Sequence, residues 1–144
     1  GLVDAPVPKV LAILLDFPCY AELLSLREVE LRARSYGRAS LSAKGRFFAV
    51  GQFEADLDVA IGGHADGKHT IVARRVSGTL PRLDAGFTVE RTPGGTRSIL
   101  SVEIGIDAPG ILPNRLVAER CTDGAVVAVA RVRRLVREAE ARAR

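Results

Sequence analysis

The stretch FEADLDVAI, from Phe53 to Ile61, decides the fold. Phe53, Ala55, Leu57, Val59 and Ile61 alternate with Glu54, Asp56 and Asp58. A period of two with acids on one face and apolar groups on the other marks a strand with one side on a core and one in water, the habit of antiparallel sheets. The same period runs through the neighbouring segments. Val29, Leu31 and Ala33 alternate with Glu28, Glu30, Arg32 and Arg34 up to the turn at Tyr36-Gly37, and Leu41, Ala43, Gly45 and Phe47 alternate with Ser40, Ser42, Lys44 and Arg46. Downstream, His69 to Ser77 reads as a strand, and Thr79 to Arg91 as another broken by Pro81. After the hairpin glycines of Pro93-Gly94-Gly95, Leu100, Val102, Ile104 and Ile106 give a sixth, and Leu2-Val3 is a stub of an earlier one.

Helical spacing appears only at the two ends. Asp4 is a fitting N-cap for a helix over about 5–16, with Pro6 and Pro8 in its first turn and Val10, Ile13, Leu14 and Phe17 on one stripe. Pro18 ends it, and Tyr20 to Leu24 reads as a short second helix. Past Pro109-Gly110, Pro113 opens a helix to about Ala141 whose apolar residues include Leu116, Val117, Val127, Val132, Leu135 and Val136. Gly124 inside it costs about 1 kcal/mol relative to Ala, so it marks a bend or a close approach. The expected fold is therefore α+β, a single domain over 1–144. A curved, six- or seven-stranded antiparallel sheet wraps one long C-terminal helix, with two short helices near the N-terminus. Inward residues are small at Ala43, Gly45, Ala55 and Ala73, and aromatics make up only 5% of the chain, so the core is expected to leave a ligand-sized void.

Composition narrows the function. With 47% hydrophobic and 26% charged residues the chain is globular and not disordered. No apolar run is longer than the six residues of Val10 to Leu15, far short of the ~18 residues of a membrane span. No basic-then-apolar leader is present, so a cytoplasmic protein is expected. The net charge of +4 is concentrated late: eight of 21 basic residues are Arg115, Arg120, Arg131, Arg133, Arg134, Arg137, Arg142 and Arg144. Glu119, Asp123, Glu138 and Glu140 interleave with them, so a solvated helix face outweighs a nucleic-acid surface, and without Trp a base-stacking platform is not expected. Cys19 and Cys121 match no metal or redox spacing and read as free thiols. His64, Asp66 and His69 lack a fourth ligand on a turn, so no metal is expected. Gly62-Gly63 and Gly94-Gly95 are hairpin glycines, not a phosphate loop, and no cofactor or catalytic constellation is legible.

The opening Asp4-Ala5-Pro6-Val7-Pro8-Lys9-Val10, with Leu15-Asp16-Phe17-Pro18-Cys19-Tyr20, resembles the start of the START-like helix-grip (SRPBCC) superfamily. It is similar in particular to the polyketide cyclase/dehydrase and coenzyme-Q-binding branch. Gly78-Thr79-Leu80-Pro81-Arg82-Leu83 with Phe87 and Val89, and Leu135 before Glu138 and Glu140, are further echoes. Leu80 stands where that family usually has an aromatic, and Phe87 lies near a common Trp. The resemblance implies a pocket for a hydrophobic molecule (lipid, isoprenoid quinone or polyketide-like) and not a reaction.

Leu41, Phe47, Phe53, Leu57, Leu83, Phe87, Val102, Val127 and Val132 are the candidate lining. Of the consecutive Arg74 and Arg75, strand phase turns Arg75 inward, where it either anchors a ligand anion or reaches water at the rim. Glu119 and Arg120 are similar rim candidates. The alternatives are a cyclase or dehydratase with Arg75 as electrostatic anchor, and an interaction module turning the basic C-terminal helix toward RNA or an acidic protein. No DNA partner is expected.

Overall fold

A computed structural model describes residues 1–47, 51–63, 67–107 and 114–143, with Phe47 and Asn114 described in backbone only. The strands are β1 (Leu2–Val3), β2 (Glu28–Ser35), β3 (Arg38–Phe47), β4 (Gly51–Gly63), β5 (His69–Gly78), β6 (Arg82–Arg91) and β7 (Ser98–Asp107). The helices are α1 (Val7–Leu14), α2 (Tyr20–Leu23) and α3 (Asn114–Arg142), with a 3₁₀ turn at Phe17–Cys19. Seven antiparallel strands lie in the order β1-β7-β6-β5-β4-β3-β2. β2 to β7 form a meander, and the two-residue β1 closes against β7. Helix α3 packs on β7, and α1 and α2 pack on α3. This is the helix-grip α+β arrangement.

Strand β4 fulfils its pattern: Phe53, Ala55, Leu57 and Val59 are buried while Glu54 and Asp56 are exposed. On β3, Leu41, Ala43 and Gly45 face the same core. Gly45 stands opposite Phe53, and a Cβ there would come within 2.8 Å of the Phe53 ring, so this glycine makes room for the aromatic. Phe17 and Tyr20 meet edge to face at 5.5 Å, and Tyr20 lies 5.4 Å from Phe87, an aromatic knot that pins the N-terminal helices to β6. The Tyr20 hydroxyl donates to the Leu14 carbonyl at 2.6 Å, so its one donor is used inside the knot.

Three expectations are corrected. Asp4 does not cap α1: the helix runs Val7–Leu14 with Pro6 at its N-cap. The residue before a proline is pushed toward extended backbone, which keeps Ala5 out of the helix. Ala5 instead accepts a bond from the buried Ser98 hydroxyl at 2.7 Å, and Asp4 pairs with Arg97 at 3.3 Å.

Second, β2 is half-buried only at Val29, which packs against the core. Leu31 is 38% exposed and Ala33 is exposed, because β2 is the sheet edge farthest from the strand that carries α3. A bulge with Arg32 as the extra residue also shifts the phase there. Arg34 is thereby carried over the Phe17 ring, with its guanidinium 5.3 Å from the ring centre.

Third, the buried stripe of α3 is Val117, Cys121, Ala128, Val132 and Val136. Val127 sits one position off it and is 41% exposed, since neighbouring helix positions are about 100° apart. Pro109, Gly110 and Pro113 lie outside the described residues.

The β5–β6 corner depends on one glycine. Gly78 has φ +139°, and a Cβ there would lie 2.3 Å from the Glu54 carbonyl oxygen, the same oxygen that accepts the Thr79 amide at 2.9 Å. Gly78→Ala is expected to cost about 2–4 kcal/mol through strain and backbone clash. Gly86→Ala, where a Cβ meets nothing within 4 Å, is expected to change stability by less than about 0.5 kcal/mol. Urea unfolding of the two variants beside the parent checks the contrast.

Candidate functional site

Between the concave face and α3 the packing leaves a cavity of about 310 Å³. Its floor is built by Leu41, Phe53, Leu57 and Ala73 from β3 to β5, and by Leu83, Ala85, Ile104 and Ile106 from β6 and β7. Cys121 and Gly124 of α3 form the roof. Tyr20, Val29 and the segment Leu24-Ser25-Leu26 between α2 and β2 form a lip. The space exists because side chains are short where sheet and helix face each other. Ala73 and Ala85 stop well below α3, and Gly124 presents only backbone, so near that a Cβ there would touch the Ile104 methyl at 3.4 Å. Gly124 is therefore part of the cavity wall, with room for a Cβ in ordinary contact with Ile104.

The lip is held from α3. Arg131 donates through one nitrogen to the Glu22 carbonyl at 2.5 Å and to the Ser25 hydroxyl at 2.6 Å, and Arg134 pairs with the Glu22 carboxylate. Ser25 lies at φ +55°, a conformation costly for a non-glycine residue. The Arg131 bonds hold it in that place. With Tyr20 committed to Leu14 and Ser25 to Arg131, both hydroxyls on the wall already have partners.

Charged groups stay at the margin. Arg46 and Arg120, both exposed, border the cavity. Asp84 also borders it, but its carboxylate lies on the convex side. A Cβ on Gly105 would point away from the inward Ile104 and Ile106, and it would collide with Asp84 Oδ1 at 2.1 Å. Asp84 is paired there with Arg82 at 3.3 Å. Burial pushes the Cys121 thiol above its ordinary pKa, opposed by a weaker hydrogen bond to the Ile106 backbone, so it is neutral at neutral pH. The described lining contains no histidine and no glutamate.

Of the residues expected to line a cavity, Leu41, Phe53, Leu57 and Leu83 do so. Phe87 and Val132 are buried in the core beside it, and Val102 is half-buried against that core. Val127 points outward, and the Phe47 side chain lies outside the described residues. Arg75 stands opposite Leu57 and so faces inward, yet it does not border the cavity: its guanidinium donates to the Gly78 carbonyl at 3.1 Å. Its Nε is buried without a partner.

Tyr20, Leu24, Leu26, Cys121 and Gly124 were not anticipated. A helix stripe phased on Val117 and Val132 passes through Cys121 and Ala128, and would have found the roof. Cys19 is half-buried and, like Cys121, a free thiol. His64 and Asp66 lie outside the described residues. Among the described residues no group of three His, Cys, Asp or Glu side chains could hold a metal ion.

No family model matches the sequence, and no curated protein matches it. Solved structures do. A STAR-related lipid transfer protein from Xanthomonas axonopodis is 14% identical at a TM-score of 0.76, over 94% of this chain and 82% of that one. Human StAR-related lipid transfer protein 5 is 15% identical at 0.78, over 97% and 74%. The Zhui aromatase/cyclase from Streptomyces sp. R1128 is 19% identical at 0.67, over 100% and 92%. At these identities the likeness is one of fold, and the fold is the START-like helix-grip.

The raised Cys121 pKa predicts slow alkylation by iodoacetamide at pH 7, with a rate that climbs as pH passes above the ordinary thiol range. An apolar molecule filling the cavity is expected to slow Cys121 further and leave Cys19, which does not border it, unchanged. Mass spectrometry of the labelled thiols over a pH series reads both effects.

Proposed function

We propose that the cavity binds a hydrophobic small molecule, of the lipid, isoprenoid quinone or polyketide-like kind. The observation that carries this reading is the void itself: about 310 Å³, lined mainly by apolar side chains, with the Tyr20 and Ser25 hydroxyls already bonded and its charges at the margin. Such a site favours a ligand whose body needs no internal hydrogen bonds. Leu41, Phe53, Leu57 and Leu83 would contact it from the sheet, and Cys121 and Gly124 from the helix. Lipid transfer proteins share the fold, which supports the reading by analogy.

The fold is shared with an aromatase/cyclase as well, but a cyclase needs an acid or base facing its substrate. Among the described lining residues Tyr20 has its proton engaged and its pKa pushed upward by burial. The Asp84 carboxylate faces away, and Arg75 is tied to a turn. Binding without reaction is the better reading.

An interaction module built on basic α3 finds less support. Arg131, Arg133 and Arg134 are spent on Glu22, Ser25 and the Leu2 carbonyl, and Arg115 on Glu119. No helix among the described residues is long and apolar enough to cross a membrane.

Native mass spectrometry of the protein as purified, against its denatured mass, is expected to show a bound small molecule. Gly124→Phe, which puts a ring into the void, is expected to remove that species and to lower the affinity for an apolar fluorescent probe at least tenfold. A parent protein that carries nothing and binds no fatty acid, quinone or aromatic polyketide would overturn the reading.

A further inference from the structure

Floor, roof and lip of the cavity differ in what holds them. The floor strands are joined by backbone ladders from β3 to β7, and the roof is a continuous helix packed on β7. The lip segment Leu24-Ser25-Leu26 belongs to no helix or strand. It runs as a strap from the helix side of the cavity to the sheet side.

Each end of the strap has its own fastening. At the sheet end Leu26 rests in the notch left by Gly45: a Cβ on Gly45 would come within 3.0 Å of a Leu26 methyl and 2.8 Å of the Phe53 ring. At the helix end no backbone bond reaches α3 among the described residues. Side chains make the connection, Arg131 to the Glu22 carbonyl and the Ser25 hydroxyl, and Arg134 to the Glu22 carboxylate. These contacts are exposed, where ion pairs are weak and segments open locally without unfolding the core. Among the described residues Ser25 is the one non-glycine with positive φ, at +55°. The fastened strap therefore carries backbone strain that its release relieves.

We propose that Leu24-Ser25-Leu26 is the gate through which a ligand enters and leaves the cavity, with Arg131 as its latch. The inference rests on the cavity being a binding site. Swinging the strap outward breaks the Arg131 bonds, lets Ser25 relax and lifts Leu26 from Gly45. Every sheet ladder and the packing of α3 on β7 stay intact. The latch sets how often the gate stands open, so loosening it speeds entry and exit by the same factor. Affinity is unchanged as long as the closed state stays the major one. A residue that only shaped the pocket would change affinity instead.

Stopped-flow binding of Nile red, a neutral apolar dye, tests the latch. R131M, which keeps an aliphatic stem and removes the donors, is expected to raise the association and dissociation rate constants together, each about fivefold or more, with Kd changed less than about twofold. S25A, which removes one acceptor, is expected to give a smaller rise of the same kind. R38A, which breaks an exposed pair with Asp58 on the other face of the sheet, is expected to give none. Amide hydrogen exchange of the ligand-free protein reads the gate directly: the strap amides are expected to exchange faster in R131M, and those of β4 at the parent rate. Nile red bound by the parent with rate constants that R131M leaves unchanged, or strap amides that exchange no faster, would overturn the latch and leave the binding cavity standing. A parent protein that binds no Nile red would overturn the cavity reading and the latch with it.

Discussion

One helix cannot cover seven strands, and the rest of the structure follows from that mismatch. Six gaps between strands make a sheet roughly 29 Å wide, while a helix with its side chains is about 10–12 Å across. Helix α3 takes the β7 side of the concave face. The aromatic knot of Phe17, Tyr20 and Phe87 fills part of the remainder. What neither reaches becomes the cavity under Gly124 and, at the far edge, the exposed part of β2 beyond Val29. Curvature brings the walls closer, but Ala73, Ala85 and Gly124 are too short to meet.

The helix also works through its charges. Individually exposed ion pairs contribute little, about 0–1 kcal/mol each, and Arg131, Arg133 and Arg134 should not be credited with much of the stability. Their effect is positional. Arg133 reaches the Leu2 carbonyl and Arg131 the Glu22 carbonyl and Ser25 hydroxyl, so one face of α3 is tied both to the first strand and to the cavity lip. The concentration of arginine late in the sequence thus has an internal explanation.

Much of the fold was legible because strand period and turn residues are local signals. β4 and β7 follow their alternation, and the long C-terminal helix ends within a residue or two of its expected limits. The errors fall where the answer depends on a distant neighbour. Nothing within Glu28–Ser35 says that α3 will lie at the opposite side of the sheet, so Leu31 and Ala33 look as buried as Val29, which alone packs on the core. Asp4 is a sound cap by residue type, but Ser98 and Arg97, more than 90 positions away, claim that segment instead. On α3 the sequence reading takes Val127 for the lining, whereas its neighbour Ala128 is the buried one. The buried stripe carries the small Ala128 among its valines, and hydrophobicity alone does not pick it out. The same cause hid Cys121 and Gly124. Arg75 was turned correctly by strand phase, yet its partner, the Gly78 carbonyl, depends on the bulge between β4 and β5.

A void of this size bears on stability as well as on binding. At about 24 cal/mol per Å³, a dry cavity of the observed volume would cost about 7 kcal/mol, comparable to the roughly 5–15 kcal/mol by which a domain is stable at all. Water entering from the margin at Arg46 and Arg120 lowers that cost, but the inner wall offers it few hydrogen bonds, since the Tyr20 and Ser25 hydroxyls are already engaged. An apolar occupant does better: it restores the missing dispersion contacts along Leu41, Leu57 and Ile104 and asks nothing of the polar atoms. Whatever fills the space therefore adds to the stability of the folded state in proportion to its affinity. The small residues that weaken the empty core are the ones that make room for the ligand.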